Sequence, residues 1–201
     1  GSLLDVDHGS YPYVTSSSSS TTGIWSGSGV PARNLTRVIG VIKAYTTRVG
    51  GGPLPTEMDE KTGEHTRKLG NEFGATTGRP RRCGWFDAVV VRYSARVNGL
   101  TGLAVTKLDV LDTFDEIRIG TGYEIEGQCF NSVFPYDLST LDRATPQYET
   151  MPGWKADTTS ARSITDLPKN ARAYLDRIEE ICEVPIAFVS VGTRRDQIIS
   201  V

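Results

Sequence analysis

The sequence predicts an α/β to mixed α+β fold, because strand-like and helix-like patterns interleave along the chain. Two short apolar runs, Leu103–Lys107 and Pro185–Val191, are typical of buried strands. Between them, Pro168–Glu183 places its apolar residues at helical spacing. The chain has 201 residues, of which 38% are hydrophobic, and this is enough to bury a core of ordinary size.

The charge balance, the lengths of the apolar runs and the cysteines exclude several classes of protein. Lys and Arg number 22 against 24 Asp and Glu, a net charge of −2, which excludes an overall polybasic arm for nucleic acid and an acidic tail. No apolar run approaches the roughly 18–20 residues of a membrane span, so we expect no membrane partner. Three widely spaced cysteines fit neither a disulfide framework nor a zinc ribbon, and we expect a reducing, cytoplasmic location.

The first fifty residues are predicted to hold two strands, a polar linker and a short helix. Leu3–Asp7 has the pattern of a short buried strand. Thr15–Gly29 is rich in Ser and Gly, which is typical of a flexible linker. Pro31–Asn34 favours the start of a short helix, because Pro is common at the first helical position. Val41–Val49 is β-rich and partly alternating, which predicts a strand.

The middle of the chain alternates loops with helices. Residues 50–57 (GGGPLPTE) and Ala75–Gly84 are predicted to be loops. Lys61–Glu72 is polar and compatible with a helix. Trp85–Val97 places its large apolar residues on one helical face, which predicts an amphipathic helix.

A hairpin and a final strand pair complete the prediction. Glu116–Glu126 and Gln128–Val133 are expected to pair about a turn at Gly127. Gln197–Val201 is expected to pair beside the last buried strand.

The first candidate site is Thr106-Lys107-Leu108-Asp109, at the carboxyl end of a predicted buried strand. A carboxylate at this place can accept hydrogen bonds from the N1–H and 2-amino groups of guanine, which adenine lacks. Small residues at Ser190–Gly192, which end another predicted strand, would let the backbone approach a base at the same edge of the sheet. The alternative is a strand that simply ends in a solvated turn.

The second candidate site is the loop from Gly74 to Arg82, which holds two threonines, a glycine and three arginines. Arg79 and Arg81 flank the rigid Pro80, so their guanidinium groups can grip a carboxylate or phosphate in a bidentate manner. A small-anion site is favoured over a nucleic-acid patch because the chain is net acidic. A basic surface loop is the remaining alternative.

Metal and thiol sites find little support in the sequence. The chain has two histidines and no paired cysteines, so no transition-metal site is predicted. Asp5-x-Asp7-His8-Gly9 resembles the start of a calcium loop, but the position that needs a bidentate Glu is Ser16.

Taken together, these stretches resemble one family closely, the adenylosuccinate synthetases. The similar segments keep the family's order and extend across nearly the whole chain. They are LLDVDHGSYPYVTSS (3–17), VIGVIKAYTTRVGGGPLPTE (38–57), GNEFGATTGRPRRCGWFDAV (70–89), TKLDVLD (106–112), YETMPGW (148–154) and IEEICEVPIAFVSVG (178–192). The family's enzymes are longer than this chain, and the resemblance implies that it is their C-terminal half.

The resemblance implies an activity, a fold and partners. Family members join IMP to L-aspartate with GTP and Mg²⁺: the γ-phosphoryl group goes to the purine 6-oxygen, and the aspartate amine then displaces it. The implied fold is the C-terminal part of a P-loop-NTPase-like enzyme that acts as a homodimer. Residues 1–50 would belong to its central nucleotide-binding sheet domain on the IMP side, and residues 51–201 to an α+β domain with the aspartate and guanine sites.

The resemblance also implies ligand contacts. For aspartate they are Ala75, Thr76, Thr77, Gly78, Arg79, Pro80 and Arg81. For IMP they are Thr15, Val49 and Arg79. For GTP they are Arg81, Lys107, Leu108, Asp109, Ser190, Val191 and Gly192. The phosphate loop, the catalytic Asp and His and the Mg²⁺ ligands are expected outside this chain, which is therefore predicted to be inactive alone.

Two stretches depart from the family pattern, and two other functions stay open. The serine-rich 16–29 segment and SVGTRR (190–195) differ from the usual sequences, and Val191 and Thr193 weaken the guanine assignment. By resemblance, the serine-rich segment is an ordered turn near IMP rather than a linker. The alternatives to a piece of the enzyme are a stand-alone, non-catalytic guanine or purine-nucleotide module and a chain that only packs against its other half.

Overall fold

Strands and helices alternate along the chain, as the predicted mixed α/β class requires. The computed structural model describes residues 1–76, 78–135 and 137–201. The strands there are β1 (Ile39–Lys43), β2 (Thr46–Arg48), β3 (Arg82–Gly84), β4 (Phe86–Asp87), β5 (Gly102–Thr106), β6 (Glu116–Ile125), β7 (Gln128–Phe130), β8 (Thr145–Pro152), β9 (Ile186–Ser190) and β10 (Ile198–Ser200). The helices are α1 (Thr22–Ser28), α2 (Glu60–Gly70), α3 (Ala88–Asn98), α4 (Leu138–Leu141) and α5 (Lys169–Cys182).

The main sheet has the order β1-β5-β9-β10. β1, β5 and β9 are parallel, and β10 pairs with β9 in the antiparallel direction. Leu103, Val105 and Val189 are fully buried on one face of the sheet, whereas Val41 and Phe188, which pair with Ala104 on the other face, are exposed. The carboxyl ends of three parallel strands therefore meet at one edge of the sheet, which is called the carboxyl edge below.

Two smaller sheets support this edge. β6 pairs with β4, β7 and β8, and β2 pairs with β3. The β6–β7 turn has positive φ at Glu126 and Gly127, as a two-residue hairpin turn requires. The β2–β3 pair places the chain that follows the arginine-rich loop directly beside the end of β1.

Side-chain caps fix the beginnings of two helices. Asp59 accepts a hydrogen bond from the backbone N–H of Thr62 at the start of α2, and Asp87 accepts one from Val90 at the start of α3. α3 ends at Gly99, whose φ of 60° is easiest for glycine. The apolar face of α5 packs into the main core, where Ala171 and Ile178 are fully buried.

Several sequence predictions are confirmed within small boundary errors. They are the strands at Leu103–Lys107 and Pro185–Val191, the helices at Lys61–Glu72 and Pro168–Glu183, the 116–133 hairpin and the C-terminal strand pair. The helix predicted from Trp85 begins only at Ala88, because Phe86 and Asp87 form β4.

The predictions for the first fifty residues needed most correction. Leu3–Asp7 is not a strand: Ser2–Leu4 forms a 3-10 turn, and the Asp5 carboxylate accepts from the backbone of Asp7 and His8. The predicted linker is ordered, since it contains α1 and its Ser20 N–H donates to Asp5.

Four further predictions differ from the structure. The helix expected after Pro31 is a single 3-10 turn. The strand predicted at Val41–Val49 is divided into β1 and β2, because Ala44 and Tyr45 leave the sheet to enter the core. β3 lies in a segment predicted to be a loop, and β8 was not predicted. None of the described helices is both long and apolar enough to cross a membrane.

Candidate functional site at the carboxyl edge of the main sheet

Charged and small polar residues collect at the carboxyl edge. β1 ends at Lys43, β5 is followed by Lys107 and Asp109, and β9 ends at Ser190. The pairing of Lys43 with Thr106, and of Val105 with Val189, brings these three ends side by side. In open parallel sheets this edge is where ligands bind.

A buried glutamate lies at the centre of this edge. The side chain of Glu72 is fully buried, and its carboxylate accepts hydrogen bonds from Lys43 Nζ at 2.8 Å and Tyr45 Oη at 2.6 Å. It also pairs with Arg81 Nη1 at 2.6 Å and Lys107 Nζ at 3.0 Å. These five residues are called the Glu72 cluster below.

The local backbone explains why Glu72 turns inward. α2 ends at Asn71, whose φ of 48° is left-handed and whose N–H donates to the carbonyls of Arg67 and Lys68. Gly70 is needed at this end, because a Cβ there would lie 2.3 Å from the Tyr45 hydroxyl. The chain therefore turns sharply after Gly70 and directs Glu72 into the interior.

The environment of Glu72 keeps it ionised. Burial alone would raise its pKa, but hydrogen bonds from Lys43, Tyr45 and Lys107 outweigh burial and hold the pKa at about 2. One carboxylate then faces three cations, which leaves an excess of two positive charges beside the carboxyl edge. Such an excess attracts anionic ligands.

The arginine-rich loop begins and ends at this cluster. The Arg81 N–H donates to the Glu72 carbonyl at 2.9 Å, and the Gly74 N–H donates to the Arg79 carbonyl at 2.8 Å. Phe73 and Pro80 form an isolated antiparallel bridge. The loop is thus closed at its base, while its tip reaches into solvent.

The predicted aspartate contacts divide into two groups. Ala75, Thr76, Gly78, Arg79 and Pro80 are exposed. Thr77, which is also a predicted contact, lies outside the described residues. The Arg81 side chain, at 29% exposure, is half-buried and bound to Glu72, so it is the predicted contact that the structure joins to the carboxyl edge.

The predicted guanine motif also lies at this edge. Lys107 has a left-handed φ of 60°, and its ammonium donates to the Gly70 carbonyl as well as to Glu72. Leu108 is fully buried in the core. Asp109 is half-buried, and its Oδ1 atom is buried without a hydrogen-bond partner among the described residues. Burial raises the pKa of Asp109, whereas the charge of Lys107 opposes this rise.

The Ser190–Gly192 segment follows β9, which contacts the turn that contains Asp109. The Val191 N–H is already engaged by the Gln197 carbonyl at 3.0 Å, and the Ser190 hydroxyl donates to the Gly192 carbonyl at 2.9 Å. A Cβ at Gly192 would lie 2.3 Å from the Gln197 side chain. The segment is therefore held tightly by its own hydrogen bonds.

The two remaining predicted contacts, Thr15 and Val49, are both exposed and lie on neighbouring segments. Buried Arg48 joins these segments, because its guanidinium donates to Ser10 Oγ at 2.8 Å and to the Tyr13 carbonyl at 3.2 Å. Val49 also lines a cavity of about 470 Å³ together with Arg81. One predicted IMP contact and one predicted aspartate contact therefore share a cavity.

Sequence reasoning missed Glu72, Lys43 and Tyr45. The predicted Val41–Val49 strand placed Lys43 in its middle, whereas β1 ends there. If the strand had been predicted to end at Lys43, the argument that identified Lys107 would have identified Lys43 as well. For Glu72 the available signal was its position directly before the arginine-rich loop.

Comparisons with known proteins give a consistent result. The family model "Adenylosuccinate synthetase" matches residues 1–199. The chain is 57% identical to the adenylosuccinate synthetase of Geotalea daltonii and 59% identical to that of Carboxydothermus hydrogenoformans, each over 199 residues. Each of these matches covers 99% of this chain and 46% of the relative.

A solved structure is similar over the whole chain. It is the fully ligated adenylosuccinate synthetase from Plasmodium falciparum, with a TM-score of 0.97 and 37% identity, and the match covers 100% of this chain and 48% of that one. This similarity confirms the predicted fold. The chain spans about half the length of the curated relatives it matches.

Proposed function

The chain belongs to the adenylosuccinate synthetase family, and from that premise we propose that it supplies the guanine and aspartate subsites of a GTP-dependent ligase. The enzyme would join IMP to L-aspartate and form adenylosuccinate by way of 6-phosphoryl-IMP. The chain would be the C-terminal part of that enzyme, with residues 1–50 on the IMP side and residues 51–201 carrying the other two subsites.

The observation that carries this proposal is the buried Oδ1 atom of Asp109, which has no hydrogen-bond partner. A buried acceptor without a donor is costly, and a ligand that supplies the donor removes that cost. Guanine offers two donors on one edge, N1–H and the 2-amino group, and an ionised carboxylate accepts both. Lys107, beside Asp109, is held by Glu72, so its stem is fixed where it can cover a purine face.

The aspartate subsite is proposed around Arg81 and Arg79. L-Aspartate carries two carboxylates, and arginine binds carboxylates in a bidentate manner with a permanent charge. One nitrogen of Arg81 donates a hydrogen bond to Glu72, and the guanidinium group has further N–H donors for a ligand. The positive excess of the Glu72 cluster favours such an anion.

The IMP contacts proposed here are Thr15, Val49 and Arg79. The cavity shared by Val49 and Arg81 supports them, because the aspartate amine must reach the purine 6-position of IMP. In this scheme the chain binds and orients aspartate, IMP and the base of GTP. Phosphoryl transfer depends mainly on such positioning together with electrostatic stabilisation.

Mg²⁺ and a homodimer are implied by the family. Among the described residues, no group of three or more His, Cys, Asp or Glu side chains could hold a metal ion. We propose that the Mg²⁺ ligands of the whole enzyme lie outside this chain, and no step of the reaction is assigned to Mg²⁺ here. We propose that the whole enzyme acts in the cytoplasm as a homodimer.

The test is Asp109→Asn in the full-length enzyme that contains this chain. The amide replaces one of the two acceptors by a donor, so kcat/KM for GTP should fall about tenfold to a hundredfold. Xanthosine triphosphate, which offers a carbonyl in place of the 2-amino group, should become the better substrate. Steady-state kinetics with both nucleotides measures the change.

A matched control is Asp142→Asn, because Asp142 is exposed and far from the motif in sequence. It should leave the preference for GTP as it is in the unmodified enzyme. An unchanged preference in Asp109→Asn as well would show that residues 106–109 are only the end of a strand.

A further inference from the structure

We propose that Glu72 is a positioning residue that couples the aspartate subsite to the guanine subsite. The inference rests on the proposed function, in which Arg81 is assigned to aspartate and GTP and Lys107 to GTP alone. Glu72 itself would touch neither ligand. Its carboxylate would fix the two cations relative to each other, so that a substitution that displaces one cation would also displace the other.

The geometry supports one shared anchor rather than two separate ion pairs. Arg81 Nη1 is bound to Glu72 Oε2 at 2.6 Å, and Lys107 Nζ is bound to Oε1 at 3.0 Å. The two cations come from different elements: Arg81 closes the arginine-rich loop, whereas Lys107 follows β5. The side-chain carboxylate of Glu72 therefore joins a loop to the sheet edge through two different oxygen atoms.

The anchor is also rigid. The Glu72 carbonyl accepts from the backbone of Arg81, so backbone and side chain hold the same residue. Lys43, at the end of β1, and Tyr45, which follows it, also donate to the carboxylate. A fully buried carboxylate with four donors has little freedom to move, and its ionised state persists at neutral pH.

An amide cannot replace this carboxylate. A glutamine at position 72 has one acceptor oxygen, and its NH₂ group would face cations that are donors only. Lys43, Arg81 and Lys107 would then repel one another without a compensating charge. We therefore expect Arg81 and Lys107 to lose their fixed positions together.

The first experiment is Glu72→Gln in the full-length enzyme. The KM values for aspartate and GTP should each rise about tenfold, as the loss of a charge-assisted hydrogen bond would produce. The value of kcat should change less, because a positioning defect that weakens ground state and transition state alike appears in KM. The KM for IMP should change less than the other two, since two of its three assigned contacts, Thr15 and Val49, lie on other segments.

Matched variants separate positioning from folding. Glu64→Gln removes an exposed carboxylate from the preceding helix α2, where it pairs only with Lys68 among the bonds described, and it should leave all three KM values unchanged. Glu72→Asp keeps the charge and should recover part of the lost affinity for both ligands. Thermal melting of each variant identifies one that fails to fold.

A second experiment works even if Glu72→Gln does not fold. Lys107→Met, assigned to guanine alone, should raise the KM for aspartate about threefold in addition to its effect on GTP, because Glu72 connects Lys107 to Arg81. A change in the KM for GTP alone would overturn the coupling.

The outcomes distinguish the inference from the function beneath it. If the unmodified enzyme forms adenylosuccinate and Asp109→Asn switches nucleotide preference, the proposed function holds. If the aspartate KM then stays normal in both Glu72→Gln and Lys107→Met, the coupling is wrong while the function stands. An enzyme that forms no adenylosuccinate would instead overturn the proposed function.

Discussion

Two buried carboxylates, Glu72 and Asp87, differ in the charge of their partners and in their depth in the interior. Glu72 is bound by three cations and a phenol. Among the described residues, the hydrogen bonds to the Asp87 carboxylate come from neutral donors: Tyr123 Oη at 2.7 Å, the Val90 N–H at 3.1 Å and Thr56 Oγ1 at 3.5 Å. The exposures of Glu72 and Asp87 are 0% and 2%, but Asp87 lies deeper in the interior.

The pKa values of the two groups shift in opposite directions. Burial raises the pKa of Asp87 to about 6, because its neutral hydrogen-bond donors compensate only in part. The pKa of Glu72 is held at about 2, because the cations outweigh the effect of burial. Charged partners thus make one buried carboxylate a permanent anion suited to anchor cations, whereas the other acts as a structural cap for α3.

The largest stability effect of this contrast is expected in the pH dependence of unfolding. For Asp87 the folded pKa lies above the unfolded one, so its contribution is fully present below about pH 4 and is lost as the pH rises through 6. Between pH 4 and 7 this loss should be about 2 kcal/mol. Glu72 has the opposite sign: its contribution is present above its unfolded pKa of 4.5 and is lost as the pH falls toward 2.

Denaturant unfolding of the unmodified protein and of Asp87→Asn, at pH 4 and pH 7, measures how much the Asp87 carboxyl group contributes to the free energy of unfolding at each pH. The variant should lack the loss of about 2 kcal/mol that Asp87 causes over this range. Equal pH dependence in the two proteins would show that Asp87 titrates normally, and the contrast with Glu72 would fail.

A smaller effect is expected from the same change made at each carboxylate. Tyr45→Phe removes a neutral donor from Glu72, which keeps its three cations, and should lower the free energy of unfolding by about 1 kcal/mol. Tyr123→Phe removes the shortest hydrogen bond of Asp87 and should cost about 2 kcal/mol at neutral pH, because the buried charge keeps weaker partners. Urea denaturation compares the two variants, and a larger loss for Tyr45→Phe would reverse the argument.

Much of the fold could be predicted because its strongest elements carry local signals. β5 and β9 are short buried runs, α5 has a clear apolar face, and the β6–β7 hairpin turns at a glycine. β8 was missed because its residues are half-buried or exposed and give no clear alternation. The predicted strand at Leu3–Asp7 failed because capping by Asp5 depends on a side chain rather than on hydrophobicity.

The candidate site was predictable only in part, for a related reason. Asp109 and Lys107 were found because they follow a buried strand, and Arg81 because it lies in a dense run of arginines. The Glu72 cluster could not be found in this way, since Lys43, Glu72 and Lys107 are distant in sequence. Their meeting depends on the parallel pairing of β1 with β5 and on the left-handed turn at Asn71.

Adjacent arginines offer the most direct test of the proposed ligand site. Arg81 is bound to Glu72 at the carboxyl edge, whereas Arg82 is bound to Glu57 and the Gly52 carbonyl on the β2–β3 side. Loss of one partner of a charged pair at a ligand site costs about 2–5 kcal/mol. The measurement is the steady-state kcat/KM for aspartate of Arg81→Leu and Arg82→Leu in the full-length enzyme.

We predict that Arg81→Leu lowers kcat/KM for aspartate about thirtyfold or more and also raises the KM for GTP, whereas Arg82→Leu has a much smaller effect. Arg79→Leu, measured beside them, should weaken both aspartate and IMP. A normal KM for aspartate in all three variants would contradict the assignment and would make the 74–82 segment a surface loop.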